Sequence, residues 1–503
     1  MSEPRSEAPA PGAQPGLSAA SSRPLVLAAV IAAITISAIE GTIVATVMPQ
    51  IVGQLGDFDL FSWVFTAYLL TQAVAIPVYG RLADIHGRKR MLLAAIGLFL
   101  VGSVLCGFAW NMLSLVGFRI VQGIGAGGLV PVAQTVVGDL YSPVERAKMQ
   151  GYISSVWAIG SIVGPPIGAF LVAHTIWPMV FWVNVPIGAV AAGMLILWLH
   201  EDLKQRAHRI DYRGTGLMVA GTGLLMFAVV QAPHLRPATL IALIAVSIAL
   251  LALFFQHERK APEPMLPIAL LRNRIIGAGT LGCFSLGAII MGSSAFLSLY
   301  VQGVMSRSAL VAGIVLMTPS VAWPIGSSSG GWLMLRTSYR ATIAIGCVPL
   351  LVGSMLLVLL DRGSGPALAG IGAALIGIGM GLTNNTYTVA IQGSVGWAQR
   401  GVATSTLSFM RQVGQAIGAA VFGGTINAEV ASQGASPDIV DRIMNPATRD
   451  TIAADAIAPL TEAIAHGLHH VYIITSVLCV AVLTTALLLP ARLSPRQHTQ
   501  GQP

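Results

Sequence analysis

Three charged side chains interrupt stretches of chain that are otherwise apolar: Glu40, Arg119 and Arg411. Glu40 is the one carboxylate so placed. Hydrocarbon disfavours the charged form of a carboxyl, so a group in this position suits the uptake and release of a proton near neutral pH. The structural alternative is a carboxylate held by hydrogen bonds toward the outer mouth of its helix. Arg119 is its natural electrostatic counterweight, while Arg411, beside Gln412, reads as a structural or gating group rather than a cargo contact. No histidine falls in the middle of an apolar stretch, so one proton per cargo molecule is the simplest exchange.

A second set of side chains suits recognition of small molecules. Gln72, Gln134, Trp157, Asn184, Tyr300, Asn384, Asn385 and Tyr387 are amide and aromatic groups within the apolar stretches. Such groups hold flat, amphipathic molecules by stacking and a few hydrogen bonds. Other chemistry is refused. Gly123–Gly128 satisfies G-x-G-x-x-G, yet it lies inside an apolar span with no preceding strand, so it reads as close helix packing rather than a dinucleotide loop. No phosphate-binding G-x-x-x-x-G-K-[ST] loop occurs, and no cofactor is expected. His466, His469 and His470 cluster without a carboxylate or cysteine at ligand spacing, so no metal site is expected there.

The elements that must position these groups are membrane helices. Only 10% of the 503 residues are charged, against about 25% in an average soluble protein, while 55% are hydrophobic. Mean hydropathy is +0.76. Such a chain lacks the polar side chains to clothe a soluble globule, and its 55 glycines suit close helix packing in lipid. Apolar runs fall near 25–47, 61–82, 91–109, 111–138, 150–173, 179–199, 214–232, 238–256, 276–301, 309–335, 341–360, 366–388, 401–427 and 469–490. Each approaches or exceeds the ~20 residues that cross a bilayer, and none alternates as a barrel strand does. Fourteen spans put both termini on one side. The net charge of +8 would suggest nucleic acid in a soluble protein, but the Lys and Arg residues crowd into the connections on the side of the termini. Only Arg236, Arg307, Arg362, Arg442 and Arg449 fall on the other side, so both termini are expected in the cytoplasm and no nucleic-acid partner is expected. The four cysteines lie within apolar runs, where they read as packing residues rather than disulfides.

Between the second and third runs stands Gly80-Arg81-Leu82-Ala83-Asp84-Ile85-His86-Gly87-Arg88-Lys89-Arg90. Its two glycines allow a tight reversal, and one carboxylate sits among the cations. Here the chain resembles the major facilitator superfamily, whose signature loop has this pattern. Arg119, Gln122, Gly123, Gly125 and Gly127 match the family's second motif, and Gly160, Gly164, Pro165 and Gly168 match the motif associated with its exporters. The run Glu40–Pro49 is similar to the signature of the fourteen-span drug:proton antiporter branch, which usually has aspartate where this chain has Glu40.

The resemblance spans about residues 25–490. It implies an all-α membrane protein with the major facilitator fold: a disordered cytoplasmic tail at 1–23, a six-helix bundle at 24–200, two inserted membrane helices at 201–260, a second six-helix bundle at 261–490 with an extracytoplasmic loop at 428–468, and a cytoplasmic tail at 491–503. It implies proton-coupled export of amphipathic or cationic drug-like compounds by alternating access, by a monomer in a bacterial-type cytoplasmic membrane. Glu40 and Arg119 would couple the proton, with Arg119 either relaying it or clamping the cytoplasmic helix ends. Gly80, Asp84, Gly87, Arg88, Arg90, Gly160, Gly164, Pro165, Gly168 and Arg411 would govern the conformational change, with Asp84 facing the amino end of a helix such as that near Gly401. Glycines every four residues at 160, 164 and 168 share one helix face, read as the hinge between the halves. Two rivals stand: export of one endogenous lipid, siderophore or metabolite, and a receptor or enzyme on a transporter-like scaffold.

Overall fold

The computed structural model describes residues 22–141, 143–201, 211–232, 235–261, 271–395, 400–432 and 454–489. Among them the chain forms fourteen long helices. In the first half these are α1 (Arg23–Leu55), α2 (Phe61–His86), α3 (Arg88–Gly107), α4 (Met112–Leu140), α5 (Pro143–His174) and α6 (Met179–Trp198). Next come α7 (Tyr212–Val230) and α8 (Pro237–Glu258). The second half holds α9 (Arg274–Val304), α10 (Ala309–Arg336), α11 (Tyr339–Val358), α12 (Pro366–Ser394), α13 (Arg400–Ser432) and α14 (Ala454–Leu488). Thirteen are long and apolar enough to cross a membrane. α13 completes the set in length, at 33 residues, with a more polar face that its place between the two halves explains.

Side-chain caps start several helices where the apolar runs begin. Asn111 accepts from Ser114 N–H in a reciprocal capping box at α4, Asp211 accepts from Gly214 N–H at α7, and Ser338 accepts from Ala341 N–H at α11. Between α2 and α3 the reversal is made by Gly87 alone, whose φ of 93° favours glycine. The expected loop from Gly80 is therefore corrected: residues 80–86 continue α2, and a Cβ added at Gly80 would meet no neighbouring element within 4 Å. α9 is also not one smooth rod. It breaks at Ser293–Ser294 and ends in a π-helical turn, Tyr300–Val304.

The largest departure lies beyond α13. The stretch 428–468 reads as a loop from its charges, yet α13 continues to Ser432 and α14 begins at Ala454, while 433–453 lie outside the described residues. Hydropathy marks only the apolar part of a helix, so a helix that emerges from lipid with a charged face is cut short on paper. The histidines belong to that emergent turn. His466 approaches Glu462 at 4.0 Å and His470 approaches Glu429 at 3.8 Å. The expected tails, residues 1–21 and 491–503, also lie outside the described residues.

Because successive helices reverse, the ends of the bundle can be named by their connections. The near end is where α1 begins; the far end carries 56–60, 108–111 and 305–308. α1 to α6 pack together and α9 to α14 do likewise, with α2 against α13 and α5 against α10 between the halves. α7 lies along both α2 and α13, joining the inserted pair to the seam. α8 turns Ile241, Val246, Ile248 and Leu253 outward, the apolar exterior of a lipid-facing helix.

Candidate functional site

Five helices of the first half converge on Glu40. The Arg119 guanidinium on α4 donates from Nη1 to Glu40 Oε1, and Asn184 Nδ2 on α6 donates to Glu40 Oε2 at 2.6 Å. Arg119 also donates to Gln122 Oε1 at 2.7 Å and, from Nε, to the Val64 carbonyl on α2 at 3.3 Å. Gln122 Nε2 reaches Ser103 Oγ on α3 at 2.9 Å, and the Tyr68 ring lies 3.9 Å beneath the guanidinium carbon. Glu40, Gln122, Asn184 and Ser103 have no exposed surface and Arg119 has 2%. The charges thus neutralise one another in a space closed to water, the condition under which a buried pair is tolerated. Asn184 Oδ1 has no hydrogen-bond partner.

Arg119 stands in the second turn of α4, toward the far end. Chain direction thus sets Arg119 away from the arginine-rich connections of the near end. Asn184 is corrected as well. It belongs to this closed network rather than to an open cavity.

The exporter-type glycines have a defined partner. A Cβ on Gly160 would lie 2.8 Å from Ala38 Cβ, on Gly164 2.1 Å from Thr42 Oγ1, and on Gly168 3.3 Å from the Ile43 carbonyl. All three face α1, the helix that carries Glu40. The glycine face is therefore not the seam between the halves. Pro165 and Ala169 on the adjacent face meet Gly313 of α10 across that seam.

At the near end, Arg88 ties three elements together. Its Nε lies 2.9 Å from Asp139 Oδ2 at the end of α4, and its backbone N–H donates to Glu201 Oε1 at 2.8 Å. Lys89 N–H donates to Glu201 Oε2 at 2.9 Å, so Glu201 caps α3. Nothing in the sequence spacing of Asp139 and Glu201 points to Arg88, since only the fold brings them together. Arg90 is exposed, and the Asp84 side chain lies outside the described positions.

The halves meet toward the far end. Thr46 O of α1 accepts from Ser298 Oγ at 3.2 Å and Gln302 Nε2 at 2.7 Å, and Asn427 Nδ2 donates to the Asp59 carbonyl at 3.0 Å. At mid-depth, Gln415 donates to Gln412 and Gln412 to Gln72, each at 2.7 Å. Gln72 therefore bridges the halves. In the near halves of α4 and α5, Gln134 is exposed and Trp157 is 39% exposed.

The remaining recognition candidates do not share one cavity. Tyr387 is buried inside the second half, its hydroxyl 2.6 Å from Thr485 Oγ1 and 3.2 Å from the Val482 carbonyl, because a phenol in a helix core must find a partner. Tyr300 is 2% exposed with its ring 6.0 Å from that of Tyr472. Asn385 donates to the Ser327 carbonyl at 3.2 Å. Asn384 adjoins a cavity, with its Oδ1 3.5 Å from Arg411 Nη1.

Arg411 is held by backbone contact between α13 and α9. A Cβ on Gly287 would lie 2.1 Å from the Arg411 carbonyl, and one on Gly414 would lie 2.0 Å from the Phe284 carbonyl. Gly414→Ala is expected to destabilise the protein by about 1–3 kcal/mol, because a backbone atom cannot rotate aside. Thermal unfolding of the purified variant checks this. Gly97→Ala, at a helical site where an added Cβ would meet no neighbouring element within 4 Å, should leave stability equal or slightly higher.

The family model of the Major Facilitator Superfamily matches residues 30–419. Multidrug resistance protein 3 of Bacillus subtilis is 32% identical over 476 residues, covering 91% of this chain and 93% of that protein. Multidrug transporter protein MdtP of the same organism is 33% identical over 411 residues, covering 81% and 76%. Among solved structures, a bacterial homologue of the human lysosomal transporter Spinster superposes with a TM-score of 0.64 at 16% identity, over 94% of this chain and 99% of that one.

Proposed function

The chain belongs to the Major Facilitator Superfamily, and from that membership we propose that it is a proton-coupled exporter of small amphipathic molecules. It is a multi-pass membrane transporter rather than an enzyme. In our reading it works as a monomer by alternating access in a bacterial cytoplasmic membrane, with the near end and both termini in the cytoplasm. The proton gradient drives it without a cofactor.

The observation that carries this reading is the sealed Glu40–Arg119–Asn184 network. Among the described residues Glu40 is the one carboxylate buried in the middle of a helix, and it sits on the helix gripped by the α5 glycines. Proton arrival at Glu40 removes the charge that holds Arg119 and loosens the network joining α1, α4 and α6. That change favours a different arrangement of α1 against α5, so protonation and cargo binding bias different states. The names of the relatives, which are multidrug proteins, support amphipathic cargo of more than one kind.

Full-length protein reconstituted with its near end outward tests the proposal. An acid lumen should drive several unrelated amphipathic dyes inward against their gradients, and a protonophore should collapse the accumulation. Uptake indifferent to the pH gradient overturns proton coupling. Transport of one compound alone would favour a dedicated exporter.

A further inference from the structure

The intramembrane charges do not balance. Glu40 is occupied by Arg119, and among the described residues no carboxylate pairs with Arg411. Within a membrane span a cation ordinarily pairs with a counter-charge or turns to a polar cavity, and Arg411 is only part-buried. Arg411 has instead a single long hydrogen bond, from Nη1 to Asn384 Oδ1 at 3.5 Å.

What it does face is a cavity of about 30 Å³ between α9, α12 and α13. The space exceeds the 10–15 Å³ or so that one water needs. Asn384, Thr388, Thr404, Ser408 and Cys283 share its wall with Arg411. A guanidinium with amide and hydroxyl groups around a small space is a donor set suited to a carboxylate or a comparable monoanion, and it repels cations. The close α9–α13 contact at Gly287 and Gly414 fixes the backbone that carries the arginine, so the charge cannot leave this wall by a local shift of its helix.

We propose that the Arg411 cavity binds the anionic group of the cargo, so that the exporter's preferred substrates are amphipathic monoanions such as aryl carboxylates. This rests on the export reading above and narrows its substrate class away from the cationic compounds that the sequence resemblance implies. Arg411 then contacts cargo directly. A free inorganic anion offers the same chemistry, and the test separates the two.

The full chain in lipid nanodiscs is titrated with three probes of one aromatic skeleton: 1-pyrenebutyrate, its methyl ester and the pyrenebutyl trimethylammonium ion, with protein-free discs subtracted. The carboxylate should bind at least about tenfold more tightly than the ester, the scale of a charge-assisted hydrogen bond. Arg411→Gln should abolish that preference while leaving ester binding in place, which also reports a folded cavity. Arg411→Lys should keep most of it. Equal binding of carboxylate and ester, a preference for the ammonium probe, or a carboxylate preference that survives Arg411→Gln overturns the proposal. Chloride is titrated in a carboxylate-free buffer in a second arm. Stabilisation by chloride that depends on Arg411, without any carboxylate preference, would assign the cavity to an inorganic ion and overturn the cargo assignment. No gradient is present in these titrations, so failure of proton coupling and failure of anion recognition are read independently.

Discussion

Glu40→Gln is expected to abolish proton-driven uphill export while leaving downhill flux of the same dye. The side chain keeps its length and polarity but can no longer exchange a proton, and among the described residues no other carboxylate is buried in the middle of a helix to replace it. For a neutral dye exchanged against one proton, the wild type can draw on ~1.4 kcal/mol per pH unit. It can also draw on ~2.3 kcal/mol per 100 mV, since one net charge crosses. Both sources should fail together in the variant. A structural complication is built into the site, because glutamine leaves the Arg119 charge buried without its counter-ion. Removing one partner of a buried pair costs about 3–5 kcal/mol, so part of any loss would be instability. The double variant Glu40→Gln/Arg119→Gln removes both charges and should recover thermal stability without recovering uphill transport. Gradient-driven concentration by either variant, measured in vesicles matched for folded protein, would place the proton elsewhere.

The convergence at Glu40 was half legible in the chain. A carboxylate and an arginine in apolar runs, with no other charge but Arg411 for company, made Arg119 the expected counterweight, and the structure places them in contact. Asn184 reads from the sequence as a recognition candidate rather than a partner of Glu40. Its spacing from Glu40, 144 positions, carries no periodic signal, so only the fold brings α6 beside α1. The same limit hid the link from Gln72 through Gln412 to Gln415, which spans the two halves. Glycine spacing was more informative, since a four-residue repeat selects a helix face whatever the neighbour. It could not select the neighbour, and α1 rather than the opposite half fills that place. Apolar runs located the helices well, but they missed polar ends such as residues 454–468 and the break in α9, where hydropathy stays high across a change of winding.

Size at Gly164 should decide whether α1 and α5 can approach at all. A Cβ there meets Thr42 Oγ1 at 2.1 Å and Thr42 Cβ at 3.2 Å, with the Ile39 carbonyl at 3.4 Å. The first of these is the tip of a side chain that can rotate, at the expense of its hydrogen bond to the Ile39 carbonyl at 3.0 Å. Gly164→Ala should therefore retain most export, and adding Thr42→Ala, which removes the offending hydroxyl, should bring it nearer the wild type. Gly164→Leu has no such relief. Its added carbons run into the α1 main chain within the same turn that holds Ile39 and Thr42, one turn or less from Glu40. The helices must separate, which at the cost of overpacking, about 1–3 kcal/mol, is enough to shift a balance between conformations by tenfold or more. Dye efflux at equal membrane abundance should fall at least about tenfold for the leucine variant, in line with that shift. Thermal stability should fall less than the loss of function implies, because Gly160 and Gly168 still contact α1 on either side. Should Gly164→Leu export as well as Gly164→Ala, the close approach of α1 and α5 would have no part in transport, and the route by which protonation at Glu40 reaches α5 would have to be sought through α4 and α6 instead.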